Sequence, residues 1–137
     1  MDAAYQSFVA GFPILILHFS VTLLIFCIGV FLYIKITPFD DFKLIRDGNT
    51  AVAISLAGSI IGLSIPLAFT MANSIIVWEI LIWGFISIII QLVAYRISDL
   101  LLKDLPNRIS SGDIGAAIIL VSIKLACAII NAAAIGG

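Results

Sequence analysis

Four apolar segments divide the chain and constrain its fold more than any other feature. A helix of roughly 20 residues crosses a hydrocarbon core of ~30 Å. Within lipid each segment must be helical, because the backbone has no water with which to form hydrogen bonds. We place the segments at residues 12–36, 50–72, 75–98 and 114–135. They predict an all-α membrane protein with four transmembrane helices in a single transmembrane domain, residues 1–137.

The composition agrees with this class. The chain is 63% hydrophobic and 11% charged, with a mean hydropathy of +1.27, which leaves too little polar surface for a water-soluble domain. The first segment does not resemble a signal peptide, since Asp2 stands where a basic region belongs and the apolar run is too long. Cys27 and Cys127 fall inside apolar segments, which favours packing over a redox pair. No basic tail indicates nucleic acid.

The basic residues predict the orientation. They cluster around the first and third connections, whereas the second connection and both termini carry none. The six residues concerned are Lys35, Lys43, Arg46, Arg96, Lys103 and Arg108. The positive-inside rule therefore places these two connections in the cytoplasm and both termini outside.

Similar polar turns precede the second and fourth spans. Asn49 or Asp47 can cap the second span, Asp113 can cap the fourth, and Ser110 is placed to complete a capping box with Asp113. An offset of 64 residues sets Gly48 on Gly112 and aligns the apolar residues that follow. We therefore predict two tandem helical hairpins, residues 12–72 and 75–135, as a parallel internal repeat. Chance similarity between two segments rich in Ala and Ile is the alternative.

The second span carries a stripe of small residues at helical spacing. The stripe consists of Ala51, Ser55, Gly58, Ser59 and Gly62, and Pro66 follows it in the same helix. Such a stripe lets another backbone come close, and the proline should bend the outer half of the span. The stripe could form the subunit contact of a homo-oligomer, or it could pack on the first or fourth span of its own chain. We favour the oligomer, because four spans make a thin bundle around a buried lysine.

Several of these residues form a recognisable pattern. It is Gly48-Asn49-x-Ala51-x-Ala53, then Gly58, Gly62 and Pro66, with Trp83-Gly84, Gln91 and Gly112-Asp113 further on. This pattern resembles the YjfL-like family of small bacterial inner-membrane proteins, a domain of unknown function. The resemblance implies four spans, as two related hairpins, in the bacterial cytoplasmic membrane, and it supplies no activity. The second turn departs from the pattern, since Asp113 replaces the Asn and Gly115 the first Ala.

Lys124 lies about midway along the fourth span and outside the family pattern. An ionised lysine at this depth costs roughly 2.5–3.5 kcal/mol, so its side chain should face protein or water. Helical side chains lean toward the helix N-terminus, which should bring the ammonium into the cytoplasmic half. We predict Gln91 as its partner ahead of Glu79, because Glu79 lies near the outer end of the third span.

The remaining intramembrane polar residues are assigned to the outer boundary. We interpret His18 as an interfacial hydrogen-bonding residue, since no second ligand has metal-binding spacing with it. Asn131 and Glu79 are expected to bind each other's neighbours or lipid headgroups, and Tyr33 to be an interfacial aromatic. No metal site, cofactor or catalytic constellation is expected.

Two functions fit these features. The first is a non-enzymatic, oligomeric membrane subunit or scaffold that assembles through its small-residue faces and presents two charged loops to a cytoplasmic or peripheral protein. The alternative is a small ion channel or transporter subunit in which Lys124 and Gln91 line a polar path. Lys124 in a dry seam would favour the first, and Lys124 in a wet cavity the second.

Overall fold

The computed structural model describes residues 1–136 and contains six helices in this range. Four of them are long and apolar enough to cross a membrane, and two short ones lie between spans. In chain order they are α1 (Asp2–Ile36), α2 (Asp41–Arg46), α3 (Thr50–Asn73), α4 (Val77–Leu101), α5 (Asp104–Ser110) and α6 (Ile114–Gly136). The prediction of an all-helical chain with four spans is confirmed.

The first span is longer than predicted. Helix α1 begins at Asp2 instead of residue 12 and runs for 35 residues, with Pro13 inside it. At ~1.5 Å per residue it is roughly 50 Å long, which exceeds the ~30 Å hydrocarbon core. Residues 1–17 are all exposed, so this part of α1 packs against no other span.

The bundle is built around α3 and α4. Each of these helices packs on the other three spans, whereas α1 and α6 flank the pair. The most extensive contact joins α3 to α6, and α1 packs more extensively on α4 than on α3. The closest partners thus belong to different predicted hairpins, because the small residues of α3 face α6. The tandem repeat stays a prediction.

Two further glycines bring α1 and α4 together. A Cβ atom on Gly29 would lie 2.8 Å from the Ile88 side chain, and one on Gly84 would lie 3.1 Å from that of Ile25. Each helix therefore offers a glycine to an isoleucine of the other, which shortens the distance between their backbones.

The small-residue stripe on α3 is covered inside the chain. A Cβ atom on Gly58 would collide with the Val121 side chain of α6, and one on Gly62 with the Tyr95 hydroxyl of α4. The other members of the stripe, Ala51, Ser55 and Ser59, are also buried. The intrachain interpretation is therefore the correct one. The expectation of a subunit contact through this stripe is wrong, because α6 and α4 already occupy it.

Pro66 lies in α3 without interrupting it. The helix runs from Thr50 to Asn73, and Pro66 lies on its buried face. The Thr70 hydroxyl donates a hydrogen bond to the Pro66 carbonyl at 2.9 Å, whereas the carbonyl that loses its helical donor to the proline is that of Gly62.

We expect Gly58→Leu and Gly62→Leu to destabilise the single chain, each lowering the free energy of unfolding by about 1–3 kcal/mol, because the new side chains collide with α6 or α4. Gly11→Leu is the matched control, since no atom lies within 4 Å of the Cβ position of Gly11. The free energy of unfolding of each of these variants is measured in detergent. Equal stability of the Gly58 and Gly11 variants would contradict the packing of α3 on α6.

Candidate functional site

A buried polar cluster lies where the connections between α1 and α3 and between α4 and α6 meet. We call this the charged end of the bundle, formed by residues 35–49 and 96–113. At the centre of the buried polar cluster is Lys124, which is only 1% exposed. Its side chain leaves α6 toward the helix N-terminus, as expected. Its Nζ lies 3.5 Å from Asp99 Oδ1 on α4 and donates to the Tyr33 hydroxyl on α1 at 3.2 Å.

Two aromatic rings complete the surroundings of the ammonium. Nζ lies 5.0 Å from the ring centroids of both Tyr33 and Tyr95, and the rings meet edge to face with centroids 5.6 Å apart. Such cation–π contacts are worth about 2 kcal/mol or more when desolvated. The Tyr95 hydroxyl donates to the Ser59 carbonyl at 3.1 Å, which ties the cluster to the small-residue stripe.

The predicted partners of Lys124 are wrong. The Gln91 side chain donates to the backbone carbonyl of Lys124 at 3.3 Å and does not reach its ammonium. Glu79 accepts a bond from the Ile75 backbone at 2.7 Å, at the opposite end of the bundle. The physical reason is the length of the lysine side chain, which carries its charge to the depth of Asp99.

Asn131 and Tyr33 are also placed differently from the prediction. Asn131 is buried, and its side chain donates to the Ser87 carbonyl and to Gln91 Oε1, each at 3.2 Å. It therefore belongs to a buried network on α4 and α6, not to the outer boundary with Glu79. Tyr33 is 2% exposed and is not an interfacial aromatic. A usable signal existed in the spacing of Ile25, Gly29 and Tyr33, which marks the buried face of α1.

His18 is half-buried on α1, and its backbone carbonyl accepts a bond from the Thr22 hydroxyl at 2.7 Å. Within residues 1–136, no group of three or more His, Cys, Asp or Glu side chains could hold a metal ion. The structure brings His18 together with none of the other predicted polar residues.

A second carboxyl group, Asp41, faces the cluster from α2. It is 1% exposed although it begins a helix of only six residues. Burial raises the pKa of Asp41 to about 6, against the lowering effects of the Lys124 charge and the Thr37 side chain. Asp41 Oδ2 and Asp99 Oδ1 are buried and have no hydrogen-bond partner among the described residues. The sequence gave no periodic signal for Asp41, because it lies outside the spans.

The cluster encloses a cavity of about 10 Å³. Its lining includes the polar residues Tyr33, Thr37, Ser55, Asp99 and Lys124. A space of this size holds about one water molecule. Lys124 is 1% exposed and therefore lies in a narrow seam between helices, not in a wide aqueous path.

The capping predictions are confirmed for Asn49 and Asp113. Asn49 Oδ1 accepts from the Val52 backbone N–H at 3.1 Å, and Asp113 Oδ1 accepts from that of Ala116 at 3.1 Å. The preceding residues, Gly48 and Gly112, have φ angles of 89° and 96°. Glycine adopts this left-handed conformation without the steric cost of a side chain.

Two details of these predictions are wrong. Asp47 is the residue after α2 and its backbone N–H bonds to the Lys43 carbonyl, so it does not cap α3. Ser110 donates its hydroxyl to the Asn107 carbonyl at 2.8 Å instead of forming a capping box. The turns at Gly48 and Gly112 separate Asp47 and Ser110 from the start of the helix that follows.

The two caps differ chemically. The Asn49 amide both accepts and donates, and its Nδ2 bonds to the Ser110 carbonyl at 2.9 Å, which joins the two turns. The Asp113 carboxylate only accepts, and it pairs instead with Arg108, whose Nε lies 2.7 Å away. The Ala116 backbone N–H, followed by Arg108, lowers the pKa of Asp113. The replacement of Asn by Asp in the second turn thus exchanges a bond between turns for a local ion pair.

Fold and site together define a small multi-pass membrane protein of four apolar helices with a polar cluster sealed at one end. The family described as Domain of Unknown Function (DUF350) matches residues 7–135, and the chain belongs to it. The chain is also 30% identical over 116 residues to the UPF0719 inner membrane protein YjfL of Escherichia coli (strain K12), covering 85% of this chain and 88% of that protein. The YjfL protein of Escherichia coli O157:H7 gives the same values. No solved structure matches.

These comparisons confirm the resemblance to the YjfL-like family and agree with a location in the inner membrane. The family description and the relatives' names assign no activity.

We expect Lys124→Met to lower the free energy of unfolding by about 3 kcal/mol, because it leaves the Asp99 carboxylate, 12% exposed, without its cation. The double variant Lys124→Met/Asp99→Asn should recover part of this loss, since it removes the uncompensated charge. Arg108→Met is the control, because the exposed pair with Asp113 is worth at most about 1 kcal/mol. Unfolding in detergent provides the double-mutant cycle, and additive losses in it would contradict a coupled pair.

Proposed function

We propose that this protein is a non-enzymatic subunit or scaffold of the inner membrane that presents its charged end to a cytoplasmic or peripheral membrane protein. The observation that carries the proposal is the bond from the Asn49 side chain to the Ser110 carbonyl. It joins the two charged connections, which are far apart in sequence, into one surface. A joined surface can offer a fixed arrangement of groups to a partner.

The short helices at this end, α2 and α5, are held by buried residues. Asp41 on α2 is buried, and so are Pro106 and Ile109 on α5. Both signs of charge remain exposed above these anchors, together with the apolar side chains of Phe42 (51% exposed) and Leu101 (78% exposed). The exposed charged residues include Lys43, Arg46, Asp47, Lys103, Asp104 and Arg108. Apolar anchors surrounded by charge are typical of protein contact surfaces.

The orientation is part of the proposal. Six basic residues lie at the charged end or at its border with α1 and α4, which supports a cytoplasmic position for this end and outward-facing termini. The name of the Escherichia coli relative, an inner membrane protein, supports the compartment.

The parallel repeat is also proposed, with the matched turns in its support. The backbone N–H groups of Gly48 and Asn49 bond to Ile45 and Leu44, and those of Gly112 and Asp113 bond to Ile109 and Arg108. Each donor and each acceptor in the second turn lies 64 residues after its counterpart in the first. The same hydrogen bonds at one constant offset are what a duplicated hairpin would retain.

The predicted homo-oligomer needs a contact other than the small-residue stripe, since that stripe is covered. The exposed first part of α1, which includes Gly11, offers a face that no span of the same chain covers. A second copy of the chain on this face is our proposal for self-association.

The alternative function, an ion channel or transporter subunit, has less support. Lys124 and Gln91 would have to line a path, but they are 1% and 0% exposed. The cavity beside Lys124 holds about one water molecule. We favour the scaffold because the Lys124 ammonium contacts Asp99 and Tyr33 on neighbouring helices.

We expect an impermeant maleimide added to whole cells to label Ser74→Cys and not Lys43→Cys, in a background where Cys27 and Cys127 are replaced by Ala. Ser74 is the residue after α3, at the start of the turn to α4, and Lys43 lies on α2 at the charged end. Labelling after membrane disruption controls for reactivity at both positions. Labelling of Lys43→Cys in intact cells would reverse the proposed orientation.

We expect a photoreactive amino acid at Phe42 or Leu101 to crosslink a soluble or peripheral protein in cells, because these side chains project from the charged end. Ile75, 84% exposed at the opposite end, is the control position and should give no such adduct. The adduct should weaken in Asn49→Ala, which loses the bond between the turns. Adducts with lipid alone, or with a second copy of this chain alone, would contradict partner docking.

A further inference from the structure

The buried cluster contains more negative than positive charge. Asp41 and Asp99 each contribute a carboxyl group, whereas Lys124 contributes the cluster's only buried ammonium. Lys124 contacts Asp99 at 3.5 Å, which leaves Asp41 without a paired cation of its own. An unpaired carboxylate in a low-dielectric interior is costly, so the cluster needs one further positive charge.

The groups that face the cluster do not supply this charge. Asp40, beside Asp41, carries a charge of the same sign, and Arg96 on α4 is exposed and acts on Asp99. α1 contributes the Tyr33 hydroxyl, and α4 also contributes the ring of Tyr95. α3 and α5 contribute Ser55 and Pro106, neither of which is charged.

The cavity beside Lys124 is lined by Asp99 and not by Asp41, and its size excludes a metal cation between Asp99 and Lys124. A space of about 10 Å³ accepts one water-sized sphere, whereas Mg²⁺ and Ca²⁺ need six or more oxygen ligands around them. The Lys124 ammonium already lines this space and repels a second cation. A proton on one carboxyl group needs no additional room. It also turns an acceptor without a partner into a hydroxyl that can donate.

We propose that Asp41, buried with one carboxyl oxygen unpartnered, holds a proton while α2 is docked, and that loss of this proton releases α2 from the transmembrane helices. The proton leaves a carboxyl O–H bond for water at the charged end, and the cluster then carries one more negative charge. Asp41 regains hydration when α2 moves outward, whereas Asp99 keeps its ion pair with Lys124. This inference concerns the docking of α2 and holds whether or not a partner binds the charged end.

The pH dependence follows from the difference between the docked and released states. The pKa of Asp41 is about 6 when docked, against its ordinary value of 3.8, so the docked state binds the proton more tightly. Docking is therefore strongest below the ordinary value. It weakens as the pH rises toward 6 and is constant above that. The whole change in the docking equilibrium is about 100-fold, since each unit of pKa difference contributes a factor of ten.

A nitroxide label on α2 tests the release. Lys43→Cys carries the label on a background in which Cys27 and Cys127 are replaced by Ala, and Lys103→Cys, next to α5, is the control. We expect the label at 43 to become more mobile between about pH 4 and about pH 7, with little change at 103. In Asp41→Asn, which imitates the protonated form, the label at 43 should stay immobile throughout. A label at 43 that is equally mobile at both pH values would overturn the release.

Two variants separate charge coupling from a merely structural effect. Asp99→Asn should lower the midpoint of the transition, because it removes a like charge and frees Lys124 to pair with Asp41. Lys124→Met should raise it, because it removes the charge that favours the ionised form. Infrared spectroscopy follows the proton directly through the carbonyl stretch of a protonated carboxyl group. That band should fade over the same pH range in the parent protein and lose its pH dependence in Asp41→Asn. Midpoints that move together, or no band that fades in the parent, would overturn the proton site.

Discussion

The ion pair between Lys124 and Asp99 is the interaction on which the charged end depends. A lysine in the middle of a span is stable only when protein surrounds its ammonium. Here two helices contact the ammonium, α1 through Tyr33 and α4 through Asp99 and Tyr95. The charge therefore links α6 to α1 and α4.

The small residues of α3 make this arrangement possible. Because Gly58 and Gly62 lack side chains, α6 and the Tyr95 hydroxyl approach α3 closely. Tyr95 then bonds to the Ser59 carbonyl and turns its ring toward Lys124. Close packing and the polar cluster are thus parts of one construction. This explains why the stripe faces inward, although its composition alone would equally suit a contact between subunits.

The sequence was sufficient for features that depend on local chemistry. Span number follows from apolar length, and the caps at Asn49 and Asp113 follow from the glycine and polar residue before each span. It was insufficient for contacts that depend on helix rotation and side-chain reach. Gln91 was matched to Lys124 by backbone depth, whereas the lysine side chain carries its charge to Asp99. Asp41 could not be found at all, because the burial of a loop residue depends on the docking of a six-residue helix.

The length of α1 has a consequence for the membrane around this protein. With 35 residues, of which those up to Leu17 are exposed, α1 is much longer than the other three spans. A helix with such hydrophobic mismatch tilts, or locally thickens the bilayer. The remaining spans match the ordinary hydrocarbon thickness, so only the flank formed by α1 is mismatched. The lipids beside α1 therefore meet a longer helix than the lipids on the other flank of the bundle.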